Sequence, residues 1–481
     1  MPSPPIARII ALLVTVSFLL ATKAPAQEPA KPKHDYSQEA VVIERLSNVH
    51  RLERDGTGQH EAAARVKVQT AAGVERFGQL VFSYNSANEK LEMNFVRVLK
   101  ADGTVVNGTP SDIQDLTAPV TREAPIYTDA RQKHVTVRGL RPGDVLEYEV
   151  VWKTHTALAP NNFWVDHNFI TSGPIVLNNE LTIDVPAASK VKLKTHTGFD
   201  APAMKEENDR RVYVWRHANL QPEAEKKKDE AAGQEEPAEA APHVQLTTFQ
   251  SWDEVGQWYA DLQRDRIVPD EKIKAKAEAL ISGRTTDKEK VQALYDYVSR
   301  NFRYVSLSLG QGRYQSHAAA SVLNNQYGDC KDKHTLLAAM LAVAGLRAYP
   351  VLIGFNRELD VDVPSPAQFS HVISAIPLGN ETLWVDTTAE IAPLALLEPN
   401  LRNKKALFIP TTGPARVETT PANPPFLFSE LITVEGTIDD LGKLTARARM
   451  VLRGDTEMFM RLAFRHTPRS DWKRIEPYLS M

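Results

Sequence analysis

The chain has 481 residues with a hydrophobic content of 42%, which excludes a chain that is disordered throughout and, at roughly 150 residues per domain, predicts about three domains. Its formal net charge of −3 leaves no basic excess for binding nucleic acid, so no nucleic-acid partner is expected. The single cysteine excludes an intramolecular disulfide framework and any multi-cysteine zinc or iron–sulfur site.

The N-terminus has the pattern of a secretory signal peptide. Arg8 precedes an apolar run, Ile9–Leu20, and Ala24-Pro-Ala26 supplies the small residues of a cleavage site after Ala26. The run is shorter than the ~20 residues of a transmembrane helix, and no later stretch approaches that length. We therefore expect residues 1–26 to be removed and the remaining chain to be periplasmic or secreted, without a membrane span. An unpaired thiol is unusual in such an oxidising compartment.

Residues 38–220 are predicted to be rich in β-strands. Segments such as 40–45, 64–69 and 145–152 alternate or cluster β-branched and aromatic residues, and Asp-Gly pairs mark turns between them. An antiparallel β-sandwich is the natural prediction for this region. Its histidines are scattered in the sequence and form no catalytic pattern.

Residues 221–243 interrupt this pattern. The segment contains no aromatic or branched aliphatic residue, so it cannot bury enough apolar surface to offset the entropy lost on ordering. We interpret it as a charged linker or long loop, with transient helix or the binding of a partner as the alternatives.

Residues 246–415 are predicted to form a helical block that leads into an antiparallel sheet, an α+β arrangement. Two capping boxes begin helices, Ser251-Trp-Asp-Glu254 and Thr286-Asp-Lys-Glu289. A third helix is predicted from Lys331 to Ala344, with Gly345 as its C-terminal cap. Strands are predicted over residues 349–353, 368–376 and 382–386.

A short module of strands and helix is predicted at the end of the chain, over residues 427–481. Its strands flank Asp439-Asp-Leu-Gly442, and helix is predicted from Thr456 to Met481. The module is either small or incomplete. The fold class is therefore multidomain: an N-terminal antiparallel β-sandwich, an α+β core and a β-containing C-terminal module.

The single cysteine lies in Tyr327-Gly-Asp-Cys330, at the start of the third predicted helix. The positive end of the helix dipole favours the thiolate, which is the nucleophilic form, and backbone N–H groups there could donate to a developing oxyanion. We expect Gly328 to let the backbone turn sharply before the helix and to leave the sulfur accessible. A structural cysteine would more naturally lie further along the helix, on the apolar face with Leu337 and Met340.

A cysteine nucleophile needs a base, usually a histidine, and the histidine needs a third group that fixes its tautomer. His371 and Asp386 lie on consecutive predicted strands, joined by a plausible tight turn, Pro377-Leu-Gly-Asn380. If Leu378 and Gly379 are the central pair of this turn, His371 and Asp386 face each other directly, with Cβ atoms about 5 Å apart. A register different by one residue would weaken this contact.

The order cysteine, histidine, aspartate resembles the transglutaminase-like superfamily of thiol enzymes. In that family the cysteine follows a glycine-containing turn at the start of a core helix, the histidine lies on a strand, and the aspartate follows an aromatic residue and precedes small polar ones. The matching segments here are Tyr327-Gly-Asp-Cys330, Ser370-His371-Val372 and Trp384-Val-Asp386-Thr-Thr388. The resemblance covers about residues 250–400, and the preceding β region is similar to the DUF3857 domain that accompanies this core in exported bacterial proteins.

The resemblance implies a papain/transglutaminase-like core, a catalytic triad of Cys330, His371 and Asp386, and chemistry that requires no metal or organic cofactor. Two features depart from it. Val372-Ile373 follow the histidine where many relatives have an aromatic residue nearby. The side-chain oxyanion donor that some relatives use has only candidates here: Gln326, Tyr304 and Tyr327.

A metal site is an alternative reading of the same segment. Cys330 and His334 are four residues apart on a helix, and Asp332 or His317 could add a ligand, but no ordinary zinc spacing is present. Asp329 and Asp332 more naturally cap the helix or tune the thiol than act as an acid–base pair.

The sequence thus predicts an exported thiol enzyme that acts on amide or peptide bonds of a peptide or protein substrate. Its thioester acyl-enzyme would be resolved by water, as in a peptidase or amidase, or by an amine, as in an acyltransferase of the transglutaminase type. The alternative is a catalytically inactive, β-rich binding or scaffold protein of the cell envelope. Retention of all three triad residues favours the enzyme.

Overall fold

The structure, a computed structural model, describes residues 35–124, 129–221, 243–305 and 314–475. The predicted signal peptide, residues 1–26, lies outside the described residues, as do all but the ends of the predicted linker, residues 221–243. The helices and strands given below belong to one compact unit, Glu39–Met481.

The N-terminal β region extends, within the described residues, from Val41 to Thr247, and includes two short helices, α1 (Ala71–Phe77) and α2 (Val120–Glu123). Its strands are β1 (Val41–Leu52), β2 (Gly58–Val68), β3 (Gln79–Asn85), β4 (Glu89–Leu99), β5 (Val105–Asn107), β6 (Ile113–Thr117), β7 (Ala130–Thr136), β8 (Val145–Thr154), β9 (Trp164–His167), β10 (Ile175–Pro186), β11 (Lys192–Thr195), β12 (Ala203–Glu207), β13 (Arg210–Asn219) and β14 (Val244–Thr247).

A large sheet forms the centre of the N-terminal β region. Its eight strands follow the order β12-β13-β10-β1-β2-β8-β4-β5, and two three-stranded sheets, β3-β7-β6 and β11-β14-β9, accompany it. Leu146 of the large sheet shares a buried cluster with Val135, and Ile183 shares another with Leu246. The predicted β-sandwich is therefore confirmed. One pair departs from the antiparallel prediction, because β1 and β10 run parallel; these strands are distant in sequence, and no local turn signal encodes their pairing.

The core follows the N-terminal β region. Its helices are α3 (Trp252–Gln263), α4 (Glu271–Ile281), α5 (Asp287–Asn301), α6 (Ala319–Asn325) and α7 (Cys330–Val343). Its strands are β15 (Arg303–Tyr304), β16 (Tyr327–Gly328), β17 (Tyr349–Ile353), β18 (His371–Leu378), β19 (Glu381–Val385), β20 (Lys405–Phe408) and β21 (Arg416–Thr419). Five of these strands form an antiparallel sheet in the order β19-β18-β17-β20-β21. The predicted α+β arrangement is confirmed.

Helix α7 is enclosed by the core. Its first twelve residues, through Leu341, are all buried. Leu336 and Met340 share one apolar cluster with Leu294 of α5 and with Ile376 of β18, so the helix lies between other helices and the sheet. Gly345 ends it with a left-handed φ of 73°, as predicted. A helix surrounded by protein has to satisfy its polar side chains internally.

The N-terminal β region holds the loop, residues 354–370, that connects β17 to His371. Three polar contacts join them: Arg357 Nη1 to Asp166 Oδ2 (2.9 Å), Lys194 Nζ to Asp360 Oδ2 (2.6 Å) and Thr247 Oγ1 to the Pro364 carbonyl (3.0 Å). Since the loop leads directly into β18, its position affects the first residue of that strand.

The C-terminal residues form a hairpin, β22 (Ser429–Ile438) and β23 (Leu444–Arg453), followed by helix α8 (Asp455–His466). Arg402 Nη1 contacts Asp455 Oδ2 at 2.9 Å and joins this module to the core. The prediction that helix continues from Thr456 to Met481 is wrong beyond His466. Pro468 disfavours helical backbone at the residue before it, and a 3-10 turn, Arg469–Arg474, follows. Residues 476–481 lie outside the description.

None of the helices in the described part of the chain combines the length and the apolar character that crossing a bilayer requires.

Replacement of Asp166 by Asn is expected to lower the free energy of unfolding by about 2–4 kcal/mol, because it leaves the Arg357 guanidinium buried without its counter-charge. The matched control is Glu180→Gln, whose partner Arg216 is 65% exposed, so that its effect should stay within about 0.5 kcal/mol. Urea unfolding measures both, and equal losses would contradict a structural role for the Asp166–Arg357 pair.

Candidate active site

Cys330 is the first residue of α7, as the sequence predicts, and Asp329 is the N-cap. The Asp329 carboxylate accepts from the Asp332 N–H (3.2 Å), and the Asp332 carboxylate accepts from the Asp329 N–H (3.4 Å). The two aspartates therefore form a capping box, in line with the capping role expected of them. The Asp332 N–H is taken by this cap, whereas the N–H groups of Cys330 and Lys331 have no acceptor within the helix.

The expectation that the sulfur is accessible is wrong, because Cys330 is only 9% exposed. The role given to Gly328 is also wrong. Its backbone does not have a left-handed φ; instead, a Cβ at this position would lie 2.6 Å from the Asp332 Cβ. Gly328 is needed because the capping carboxylate packs against it, and this approach depends on the fold and not on a turn signal.

His371 begins β18, where it pairs with Ile353 of β17. Its Nε2 lies 2.8 Å from Asp386 Oδ2, and both side chains are buried. The predicted register is wrong: Ser374 faces Val385, whereas the predicted turn would place it opposite Leu383. The observed register is shifted by two residues. Because side chains alternate with a period of two, the shift keeps His371 and Asp386 on one face, and their contact forms diagonally.

The Asp386 carboxylate is held at both oxygens. Its Oδ1 accepts from the Thr388 N–H (2.8 Å) and from the Thr388 hydroxyl (2.7 Å), while Oδ2 contacts His371. The Tyr295 hydroxyl donates to the Asp386 carbonyl (3.2 Å), which fixes the backbone at the end of β19. Burial raises the pKa of Asp386, but the His371 charge and these hydrogen bonds outweigh it, so the net pKa is lowered and the carboxylate stays ionised.

The His371 imidazole contacts Asp386 through Nε2 and also interacts with Cys330. Since Nε2 faces the carboxylate, Nδ1 is the ring atom left for a hydrogen bond with the thiol. Burial alone would lower the pKa of His371, yet the Asp386 charge and the hydrogen bonds to Asp386 and Cys330 raise it well above its usual value. The ring therefore favours the imidazolium form.

The other polar side chains at the start of α7 have partners. Lys331 forms a buried ion pair with Asp329. Lys333 Nζ donates to the Phe302 carbonyl (2.8 Å) beyond the end of α5, and burial lowers its pKa to about 8. These contacts satisfy charges that an enclosed helix would otherwise leave without partners.

The residues of the alternative metal site do not converge. His334 Nδ1 lies 2.7 Å from Ser374 Oγ, and burial lowers its pKa to about 4. His317 contacts the Asp332 carboxylate (3.1 Å), which acts in the capping box. Among the residues that the structure describes, no group of three or more His, Cys, Asp or Glu side chains is arranged to hold a metal ion.

The three oxyanion candidates lie on the chain leading into Cys330. Tyr304 is on β15 and largely exposed, Gln326 ends α6 with a left-handed φ of 59°, and the Tyr327 ring contacts Arg303. A further residue, Tyr259 of α3, is not among those that the sequence predicts. It shares a buried apolar cluster with Cys330. From sequence it is one more apolar position of an amphipathic helix, so only the tertiary packing identifies it.

Comparison with known families gives two matches, one for each of the first two parts of the chain. Residues 274–387 match the transglutaminase-like superfamily, and residues 54–224 match a domain of unknown function with a solved structure, DUF3857. This chain joins a DUF3857 domain to a transglutaminase-like core. No curated protein matches the chain.

One solved structure resembles the two parts together. A "putative protease" from Parabacteroides distasonis superposes with a TM-score of 0.65 at 18% identity, over 80% of this chain and 72% of that one. A "putative cysteine protease" from Cytophaga hutchinsonii has a TM-score of 0.25 at 13% identity, over 61% of this chain and 84% of that one. The first likeness shows that the DUF3857 and transglutaminase-like parts share their fold with a known structure.

The opposed pKa shifts of His371 and Asp386 predict a pH window for the stability of their ion pair. The folded-state pKa of His371 is raised above about 6.5, so its contribution is complete below that pH and is lost as the pH rises through the raised pKa. The pKa of Asp386 is lowered, so its contribution is complete above pH ~4 and is lost as the pH falls. The stability removed by Asp386→Asn should therefore be largest between about pH 4 and 6.5. Urea unfolding at stepped pH measures it, and a loss independent of pH would refute the ion pair.

Proposed function

We propose that this protein is an exported thiol enzyme that cleaves amide or peptide bonds, with Cys330 as nucleophile, His371 as proton shuttle and Asp386 as the group that orients His371. The observation that carries the proposal is the buried His371 ring, whose Nε2 contacts the Asp386 carboxylate at 2.8 Å and whose pKa is raised by Asp386 and by Cys330, the single cysteine. The signal-peptide pattern of residues 1–26 supports export.

The arrangement supports a two-step reaction. In the first step the thiolate attacks the carbonyl carbon, the tetrahedral intermediate collapses, and the leaving amine takes a proton from the His371 imidazolium. Asp386 keeps the ring in one orientation throughout, because Thr388 fixes its Oδ1 and leaves Oδ2 directed at His371. In the second step His371 accepts a proton from the acyl acceptor as it attacks the thioester.

Water is the acceptor that we propose. Around an exported protein it is far more concentrated than any amine, so a thioester that solvent can reach is hydrolysed by default. Transfer to an amine would require a site that excludes water and binds the amine. The family match to the transglutaminase-like superfamily is compatible with either acceptor, and an assay decides between them.

Alkylation of Cys330 by iodoacetamide at pH 7 is expected to be at least about 10-fold slower in His371→Ala than in the unmodified protein, because the thiol loses the group that stabilises its thiolate. The rate should recover at alkaline pH. His466→Ala, on the outer helix α8, is the control and should react at the original rate. Equal rates at pH 7 in all three proteins would refute the coupled thiol and imidazole and favour an inactive scaffold.

Incubation with casein is expected to release new amino groups, measured with fluorescamine, and Cys330→Ala should abolish the release. Dansylcadaverine added to the same reaction should not be incorporated, because water resolves the thioester. Cys330-dependent incorporation of this amine would instead make the protein an acyltransferase of the transglutaminase type. The same two assays, with fluorescamine and with dansylcadaverine, can be applied to other protein substrates.

A further inference from the structure

The Tyr259 side chain is 1% exposed in the buried cluster that also contains Cys330, and its hydroxyl has no hydrogen-bond partner among the residues that the structure describes. A buried hydroxyl without a partner costs about 1–3 kcal/mol, and more than 90% of buried polar groups avoid that cost. An exception in a native protein therefore calls for an explanation, of which a catalytic role is one.

Tyr295 is a buried tyrosine of the same core whose hydroxyl does have hydrogen-bond partners, and it serves as the comparison. It is also 1% exposed, but its hydroxyl donates to the backbone carbonyls of Asp386 (3.2 Å) and Ala392 (3.1 Å). On α3 itself, the neighbouring polar side chain of Gln263 donates to the Tyr314 carbonyl (3.0 Å). Helix α3 thus satisfies the buried amide of Gln263 and leaves the Tyr259 hydroxyl, which belongs to the same buried cluster as Cys330, without a partner among the described residues.

The surroundings keep the Tyr259 hydroxyl protonated. Burial, followed by the negative charges of Cys330, Asp329 and Asp332, raises its pKa well above the usual value. A tyrosine in this state is a hydrogen-bond donor at neutral pH and does not give up its proton. The cluster that contains Tyr259 and Cys330 also contains Val372 and Leu352, from the strands that carry and flank His371, so Tyr259 packs in the part of the core where the proposed reaction takes place.

We propose that the Tyr259 hydroxyl donates a hydrogen bond to the carbonyl oxygen of the acyl group as Cys330 attacks it. The inference rests on the proposed function of Cys330 and adds a catalytic residue to it. Substrate binding would supply the acceptor that the hydroxyl lacks in the free protein. The N–H groups at the start of α7 donate to the same oxygen.

The chemical step balances without a further reactant. The sulfur–carbon bond forms as the carbonyl π electrons move to oxygen, and the proton of the thiol is held on His371. The Tyr259 O–H then stabilises the oxyanion without transferring its proton. Collapse of the intermediate restores the carbonyl, breaks the carbon–nitrogen bond and sends the His371 proton to the amine.

Two reactions of the Cys330 thiol distinguish a hydrogen bond to the acyl oxygen from a purely structural role of Tyr259 or a contact with the thiolate. Acylation by 4-nitrophenyl acetate passes through an oxyanion and releases 4-nitrophenolate, whereas alkylation by iodoacetamide displaces iodide and forms no oxyanion. In Tyr259→Phe, acylation is expected to fall about 10- to 100-fold and alkylation to stay within about 2-fold. The melting temperature should not fall, because no hydrogen bond is lost.

Tyr84→Phe is the matched control. Tyr84 is a buried tyrosine of the N-terminal β region whose hydroxyl donates to Asp115 (2.7 Å), so its removal should lower the melting temperature and leave the ratio of acylation to alkylation unchanged.

An unchanged acylation rate in Tyr259→Phe would overturn the inference. An equal fall of the acylation and alkylation rates would also overturn it, because it would show that the hydroxyl acts on the thiolate and not on the acyl oxygen. A Tyr259→Phe protein that fails to fold would show a structural hydroxyl and would also overturn it. If the unmodified Cys330 reacts with neither reagent faster than a free thiol, the proposed function itself fails.

Discussion

The hydrogen bond between His371 and Asp386 is the contact on which the site depends. It joins two buried groups of opposite charge, and neither would be stable there alone, because each has been removed from water. The contact holds the ring in one orientation and raises the pKa of His371, while Thr388 and Tyr295 fix the carboxylate and its backbone. With Nε2 of His371 occupied by Asp386, the site further requires only a thiol close to the ring.

Helix α7 brings it there, and its burial explains why so many polar side chains surround one cysteine. A helix enclosed on all sides fixes its first residue firmly, but each charge in its first turns needs an internal partner. The capping box, the ion pair of Lys331 and the carbonyl contacts of Lys333 provide these partners. The charged residues that follow Cys330, together with their internal partners, therefore allow a helix that begins with this thiol to be buried.

The sequence predicts what depends on local pattern and misses what depends on tertiary approach. The helix start at Cys330, its capping aspartates and the cap at Gly345 follow from short-range rules, and the structure has them. The hairpin register is off by two residues, and the His371–Asp386 contact survives because an even shift preserves the face. The burial of the thiol and the unpartnered hydroxyl of Tyr259 have no local signal, since both arise from segments that are distant in the chain.

The loop that leads into His371 suggests a structural role for the N-terminal β region, which contains the DUF3857 match. Three polar contacts join this loop to the N-terminal β region: Arg357 to Asp166, Asp360 to Lys194, and the Pro364 carbonyl to Thr247. The position of the strand that carries His371 therefore depends on residues outside the transglutaminase-like core. A transglutaminase-like core placed next to a different domain would lose these three contacts unless the new neighbour supplied equivalent ones.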